Sequence, residues 1–422
     1  MSHRPTDPWG PWSRRGLLGA LASLAAVPLV GERSWARPTG GAGRRLVIVH
    51  AWGGWDPTFV FDPKDPADID GPYVDQGPDE AGSAVEVLNG IPVLCDEDRR
   101  PAVTRFFEDH GDRALVVNGL QVGSVGHPDG VRRILTGHAD ADRPDLTAIV
   151  GGVDDGGAAA GFADLSGAGV PAHLGAHGLR VGPTGQLGML LDDAAPPTPS
   201  FVPPPSARQA IADYLGARTD AARLAAERPG DEAILGDRLV GLERAARLRD
   251  LGLDLPTRTG LVGDLQRTLA LLEQGACRAV LVDSQQPWDS HTGQERQHEN
   301  FDALFSGLHE LMVGLDEAGI DDVTVAVVSE MGRSPRRNID GGTEHWPVTS
   351  ALLLRSGVNG GRVLGATDDG LRAKGIDLER GEVTDGAPLS YAQFCAGLLE
   401  VVGVDPAPWL PGVTPFRAPY QG

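Results

Sequence analysis

Five short stretches of the chain are almost continuously apolar: Leu46–His50, Ala114–Val117, Ala279–Val282, Val323–Val328 and Ser350–Leu354. Unbroken rather than alternating hydrophobicity marks strands covered on both faces, so these stretches predict buried strands of a parallel sheet. The segments between them change period. Asn300–Glu317 repeats Phe301, Leu304, Phe305, Leu308, Leu311, Met312 and Leu315, an i, i+3, i+4 stripe that predicts an amphipathic helix. Glu232–Arg249 and Leu261–Glu273 carry apolar residues at helical spacing, and Ala207–Leu215, Asp220–Glu227 and Ala392–Val402 read as further helices. Strands alternating with helices predict an α/β fold around a doubly wound, mostly parallel central sheet. The region from 200 to 275 is helical without a strand and reads as a helical insert or a cap. Glycine-rich 151–188 reads as an extended surface loop or a hairpin region. Pro-rich Ala194–Pro205 reads as a linker.

The first residues follow a different pattern. Arg14 and Arg15 precede an apolar run from Leu17 to Leu29, and Ser34-Trp35-Ala36 offers small residues to a signal peptidase. That arrangement predicts a cleaved secretory signal over residues 1–36, and the paired arginines point to the twin-arginine export machinery. A membrane anchor needs roughly 20 apolar residues and this Gly/Ala-rich run is shorter, so no stable membrane anchor is expected. Residues 37–422 are then one exported domain, periplasmic or extracellular. The formal net charge of −21 disfavours nucleic acid and anionic membranes as partners, because both need a positive footprint. Cys95, Cys277 and Cys395 are odd in number and widely spaced, which fits buried small hydrophobes better than a disulfide framework.

In an open α/β sheet, ligands bind beyond the carboxyl ends of the strands. The turns there are rich in chemistry. Leu46–His50 is followed by Trp52, Gly53, Gly54, Trp55 and Asp56. Ala279–Val282 is followed by Trp288, Asp289 and His291, and Val323–Val328 by Glu330 and Arg333. Glu344, His345 and Trp346 lead into the last strand. Carboxylates and imidazoles arriving from four strand ends are the ligand set of a divalent metal site. Two such ions would clamp a transferring phosphoryl or sulfuryl group. Each piece also has a plainer explanation. Asp56 could cap a turn, Asp289 and His291 could form an Asx-turn with a surface histidine, and His345 could be a core histidine. Trp55 and Trp288, with Trp52 and Trp346, predict a partly apolar cleft wall suited to a ring-bearing substrate. Arg333 and Arg336, with Arg337, could grip an anionic group or pair with nearby acids.

Read in order, Gly53-Gly54-Trp55-Asp56, Trp288-Asp289-Ser290-His291-Thr292 with Gln294 and His298, Ser329–Pro335, Gly342–His345 and Gly360–Asp368 resemble the motifs of the exported proteins called domain of unknown function 1501. That family is similar to a sulfatase-like branch of the alkaline phosphatase superfamily. The resemblance implies an alkaline phosphatase-like α/β/α sandwich and a metal-dependent hydrolase acting on a phosphate or sulfate ester, including glycan-type anionic esters. The competing reading is a non-catalytic binding or scaffold protein of the cell envelope that keeps the fold. The resemblance implies Asp56, Asp289, His291, Glu330 and His345 as ligands of one or two ions, with zinc, manganese and calcium equally open. It makes Ser124 the candidate nucleophile and His127 a substrate-binding or leaving-group-protonating residue. His298 is a candidate for orienting a ligand. One departure stands out: relatives carry Asn or Asp where this chain has Phe59, so Asp56 or Asp62 would have to substitute. No Cys-x-Pro-x-Arg pattern occurs, which argues against a formylglycine sulfatase.

Overall fold

The structure is a computed structural model that describes residues 44–73, 82–153, 157–180 and 205–420. The signal expected over residues 1–36 lies outside them, as does the expected linker up to Pro204.

Twelve strands position the site. They are β1 (Arg45–His50), β2 (Ala84–Leu88), β3 (Ile91–Cys95), β4 (Ala114–Gln121), β5 (Phe162–Asp164), β6 (Gly178–Arg180), β7 (Ala279–Asp283), β8 (Val323–Val328), β9 (Gly332–Arg337), β10 (Thr343–Trp346), β11 (Val348–Arg355) and β12 (Arg362–Leu364). Eight of them form one sheet in the order β12-β4-β11-β8-β1-β7-β5-β6. Every neighbouring pair is parallel except those of β11, which runs antiparallel to both β4 and β8. The remaining strands form small hairpins, β2 with β3 and β9 with β10.

Helices cover both faces. They are α1 (Pro101–His110), α2 (His127–Thr136), α3 (Leu146–Val153), α4 (Pro205–Leu224), α5 (Pro229–Asp250), α6 (Gly260–Glu273), α7 (Arg296–Glu317) and α8 (Tyr391–Val401). The strand pleat sorts the core into two layers. Val47, Val49, Val280, Val282, Val325 and Val327 pack with Leu265 and Leu272 of α6 and Phe301 and Phe305 of α7. The alternate residues Leu46, Ile48, Leu281, Ala326 and Val328 pack with Ile149 of α3 and Phe394 and Leu398 of α8. Each fully buried side chain of this size contributes about 1.5–3 kcal/mol. The fold is therefore an α/β/α sandwich with a mostly parallel sheet, as the apolar runs predict.

Some local readings differ. Ala207–Leu215 and Asp220–Leu224 belong to one helix, α4, which ends before Glu227. Gly216 interrupts the pattern between them, but a helix carries a single glycine for about 1 kcal/mol. The glycine-rich region holds β5 and β6, three residues each, too short to print a period. The segment at His127 is the first turn of α2.

Candidate metal centre

The topology brings distant segments to one edge. β4, β8, β1 and β7 share a direction, so their carboxyl ends lie on one rim. β11 runs the other way, so its beginning reaches the same rim and the preceding β10 delivers His345 there. Two close backbone approaches make this possible. Gly53 has φ +119, and a Cβ on it would come within 2.7 Å of Asp289 N. A Cβ on Gly342 would meet the His291 carbonyl carbon at 2.1 Å.

Three imidazoles surround the Asp289 carboxylate. His345 Nε2 lies 3.1 Å and His291 Nε2 3.3 Å from Asp289 Oδ1, and His127 Nε2 lies 3.4 Å from Oδ2. Donor atoms of His127, Asp289 and His345 all fall within 4.8 Å of one another, the one such group of three or more among the described residues. His291 Nε2 is 3.0 Å from His345 Nε2. The tautomers follow from the outer partners. His127 Nδ1 donates to Glu330 Oε1 at 2.8 Å, and His345 Nδ1 donates to the Val125 carbonyl at 2.7 Å. His291 Nδ1 lies 3.0 Å from Glu344 Oε2. With Nδ1 so engaged, each ring turns its Nε2 inward, the arrangement by which outer hydrogen bonds orient metal-ligating histidines. Nitrogens and a carboxylate this close repel unless a proton or a metal ion lies among them. His127 Nε2 is buried and makes no hydrogen bond among the described residues, with the Asp289 carboxylate 3.4 Å away. A metal ion among His127, Asp289 and His345 would engage these three donors together, with His291 beside them.

Glu330 and Arg333 hold this cluster from behind. Glu330 is fully buried, accepts from Gly53 N at 2.7 Å as well as from His127, and has His50 Nε2 3.2 Å from its other oxygen. Burial alone would raise its pKa, but the hydrogen bonds from His127 and His50 outweigh it and bring it to about 2. Asp289 is likewise held at about 2, since the Arg333 and His345 hydrogen bonds outweigh its burial. The Glu330 hydrogen bond is the main cause of the raised His127 pKa.

Other expected site residues lie elsewhere. Asp56 caps a short 3-10 turn, accepting from Thr58 N at 3.1 Å, from Thr58 Oγ1 at 2.7 Å and from Gln294 Nε2 at 2.7 Å. Burial raises its pKa to about 6 against those hydrogen bonds. The plainer reading of Asp56 as a cap therefore describes it, and Asp62 pairs with Lys64 and Thr367 instead. Glu330 stands behind His127 rather than beside Asp289's other donors. Arg333 is fully buried and binds Gly54 O at 2.8 Å, Thr343 O at 3.1 Å, Trp288 O at 3.3 Å, Asp289 Oδ1 at 2.7 Å, and Gly53 O. It staples three loops and is not free to grip substrate. Arg336 pairs with Asp70 and the Ala67 carbonyl. Trp55 and Trp288 are core residues, with Nε1 donating to Thr349 Oγ1 and Ser284 Oγ respectively. Ser124 Oγ accepts from Gly126 N at 3.2 Å in a local turn. His298 is buried beside Arg100 and edge-on to Phe59; burial, then the charge of Arg100, lowers its pKa to about 3.

One residue of the site was not singled out by its own chemistry, while Trp52 lies where the cleft-wall reading put it. His50 ends the buried apolar run Leu46–Val49 at the rim, and that position was its available signal. Trp52 is the site's exposed tryptophan, 45% accessible, with its ring 5.1 Å from that of His127.

No curated protein matches the chain. Among solved structures it is similar to a protein in the alkaline phosphatase superfamily from Vibrio parahaemolyticus, with 10% identity, a TM-score of 0.39, and 94% of this chain and 76% of that one covered. It is also similar to the lipoteichoic acid synthase LtaP from Listeria monocytogenes, with 11% identity, a TM-score of 0.37, and 94% and 79% covered. A 2-O GAG sulfatase gives 9% identity, a TM-score of 0.38, and 88% and 75% covered. Residues 262–413, which carry Asp289, His291, Glu330, Arg333 and His345, match the family model described as "Protein of unknown function (DUF1501)", and over that stretch the chain resembles that family, as its motifs imply.

Proposed function

We propose that this chain is an exported, metal-dependent hydrolase of phosphate or sulfate esters, with His127, Asp289, His291 and His345 holding one divalent ion. The observation that carries the reading is the convergence of His127, Asp289 and His345 donor atoms within 4.8 Å, with His127 Nε2 buried and making no hydrogen bond. Three imidazoles and one carboxylate suit zinc or another first-row transition ion better than calcium, which takes oxygen ligands. Such an ion supplies Lewis acidity toward an ester oxygen and makes water more acidic. The chain's own residues do the rest. Glu330, Val125 and Glu344 fix the imidazole orientations, and Arg333 fixes Asp289. The neighbouring hydroxyls are engaged, Ser124 with Gly126 and Ser290 and Thr343 with Gln294. Water is therefore the attacking group in this reading, and Ser124 is dispensable. Trp52 offers its exposed face to a ring-bearing leaving group.

Purified protein, stripped of metal and reloaded with zinc, tests this. One equivalent should bind and be lost in Asp289→Ala. Para-nitrophenyl phosphate, its diester and the sulfate then report turnover. A folded protein that binds zinc but cleaves none of them supports the non-catalytic alternative, which one observation favours: Arg333 and Arg336, the expected anion grips, are both committed. A folded protein that takes up no zinc refutes the metal reading. Export through Arg14 and Arg15 belongs to the same proposal, and an Arg14→Lys/Arg15→Lys variant should remain in the cytoplasm.

A further inference from the structure

The residue that joins the donor-bearing segments is not itself a donor. Gln294 is fully buried between β7 and α7. Its Nε2 donates to Asp56 Oδ2 at 2.7 Å. Its Oε1 accepts from Ser290 Oγ at 2.9 Å and from Thr343 Oγ1 at 2.6 Å. Ser290 stands between Asp289 and His291, and Thr343 is two residues before His345. One amide therefore ties together the two segments that supply three of the four donors. Gln297 works in parallel: Nε2 donates to Ser290 Oγ and Trp288 O, each at 3.0 Å, and Oε1 accepts from Asp56 N at 3.1 Å. Between these segments the backbone adds Thr343 N to Ser290 O at 3.0 Å, Gln294 N to Gly341 O at 3.3 Å and an isolated bridge at Thr292 and Gly341.

The polarity of this amide is dictated from outside the site. An ionised carboxylate only accepts, so Asp56 fixes the Nε2 end and leaves the carbonyl for the two hydroxyls. Thr58 and Arg333 also act on Asp56, from its own turn and from β9, and Gly71 leaves no room for a side chain beside its carboxylate. We propose that Gln294, oriented by Asp56, is a positioning residue of the metal centre that sets the spacing between the Asp289–His291 turn and His345, and so its affinity for the ion. Asp56 keeps its place in the motif through this role rather than by ligation. The inference rests on the metal reading of the cluster.

Exchanging the donor and acceptor ends tests it. In Gln294→Glu two carboxylates face each other, and they can satisfy one another only by sharing a proton. In Asp56→Asn/Gln294→Glu the side-chain amide moves to position 56 and the network is restored with reversed charge. Zinc affinity is measured for each by competition with a chromogenic chelator at pH 8, with near-ultraviolet circular dichroism as the check on folding. Gln294→Glu should bind zinc at least tenfold more weakly than wild type, and the double variant should return to within threefold. A purely structural role would not produce that recovery. Wild-type affinity in Gln294→Glu overturns the proposal, as does a folded double variant still tenfold weaker. If Gln294→Glu fails to fold, the double variant alone decides by the same limits. Absence of zinc binding by the wild type is read separately and removes the metal reading together with this inference.

Discussion

Arg333 distinguishes an anion grip from a structural staple, and Arg333→Met separates the two. Methionine preserves much of the stem and removes all five guanidinium contacts. What remains is the Asp289 carboxylate without its cation and three carbonyls, of Gly53, Gly54 and Thr343, without their Arg333 donor, while Trp288 O keeps Gln297. Removing one partner of a buried ion pair costs about 3–5 kcal/mol. Each orphaned buried acceptor adds about 1–3 kcal/mol where water cannot reach it. Water can enter beside Asp289, whose side chain is 36% exposed, so screening reduces the ion-pair part to about 1 kcal/mol, and three carbonyls at about 1 kcal/mol each bring the loss to about 4 kcal/mol. At roughly 2 °C per kcal/mol for a chain of this size, Tm should fall by about 8 °C. The melt is run in excess chelator, because a bound ion would add its own stabilisation. Arg333→Lys should fall between, since an ammonium has three donors against the five contacts. If Arg333→Met melts within 2 °C of wild type and instead raises KM for an anionic ester, the staple argument is wrong and Arg333 faces substrate.

Three further outcomes follow from particular groups. Glu330→Gln removes the charge behind His127, and outer partners of this kind are worth 10–100-fold, so zinc affinity should fall by that factor in competition titrations. Asp145 is buried, and burial raises its pKa to about 6 despite bonds from Thr147, Ala148 and Val170. A carboxyl whose folded pKa lies above its unfolded value of 3.8 loses stability as pH rises between the two. The stability of wild type relative to Asp145→Asn should therefore fall by up to about 3 kcal/mol from pH 4 to pH 7 in urea titrations; a flat difference contradicts it. Trp52→Ala should leave Tm within 2 °C, as expected for an exposed side chain, while raising KM for an aryl ester several-fold against its methyl counterpart.

The fold was legible because the sheet writes itself into the chain. β1, β7, β8 and β11 are buried on both faces, and only unbroken apolar runs of Val, Leu, Ile and Ala satisfy that environment. α7 was legible for the complementary reason, since eleven of its residues are buried on a periodic face. β5 and β6 were not, because three-residue strands at a sheet edge are set by their neighbour β7 rather than by their own pattern. The hairpin of β2 and β3 was hidden for another reason: β2 is exposed along most of its length, so its residues carry no burial signal.

At the site, residue type and position on the rim were legible, but the direction of each side chain was not. Asp289, His291 and His345 meet because β11 reverses the sheet direction and returns β10 to the carboxyl edge, which apolar runs do not encode. Asp56 and Arg333 illustrate the opposite outcome. Both have the right chemistry at the right edge, yet each is buried, and a buried carboxylate or guanidinium takes whatever backbone partners the loops present. The loops at this rim expose many such partners: the glycine turn at Gly53 and Gly54 leaves carbonyls pointing inward, and Arg333 answers them. Charged residues beside glycine turns at a sheet edge thus divide into those that face the ligand and those that hold the backbone that carries it. Sequence gives the pool, and burial decides the division. Here the division leaves three imidazoles and one carboxylate facing the cleft.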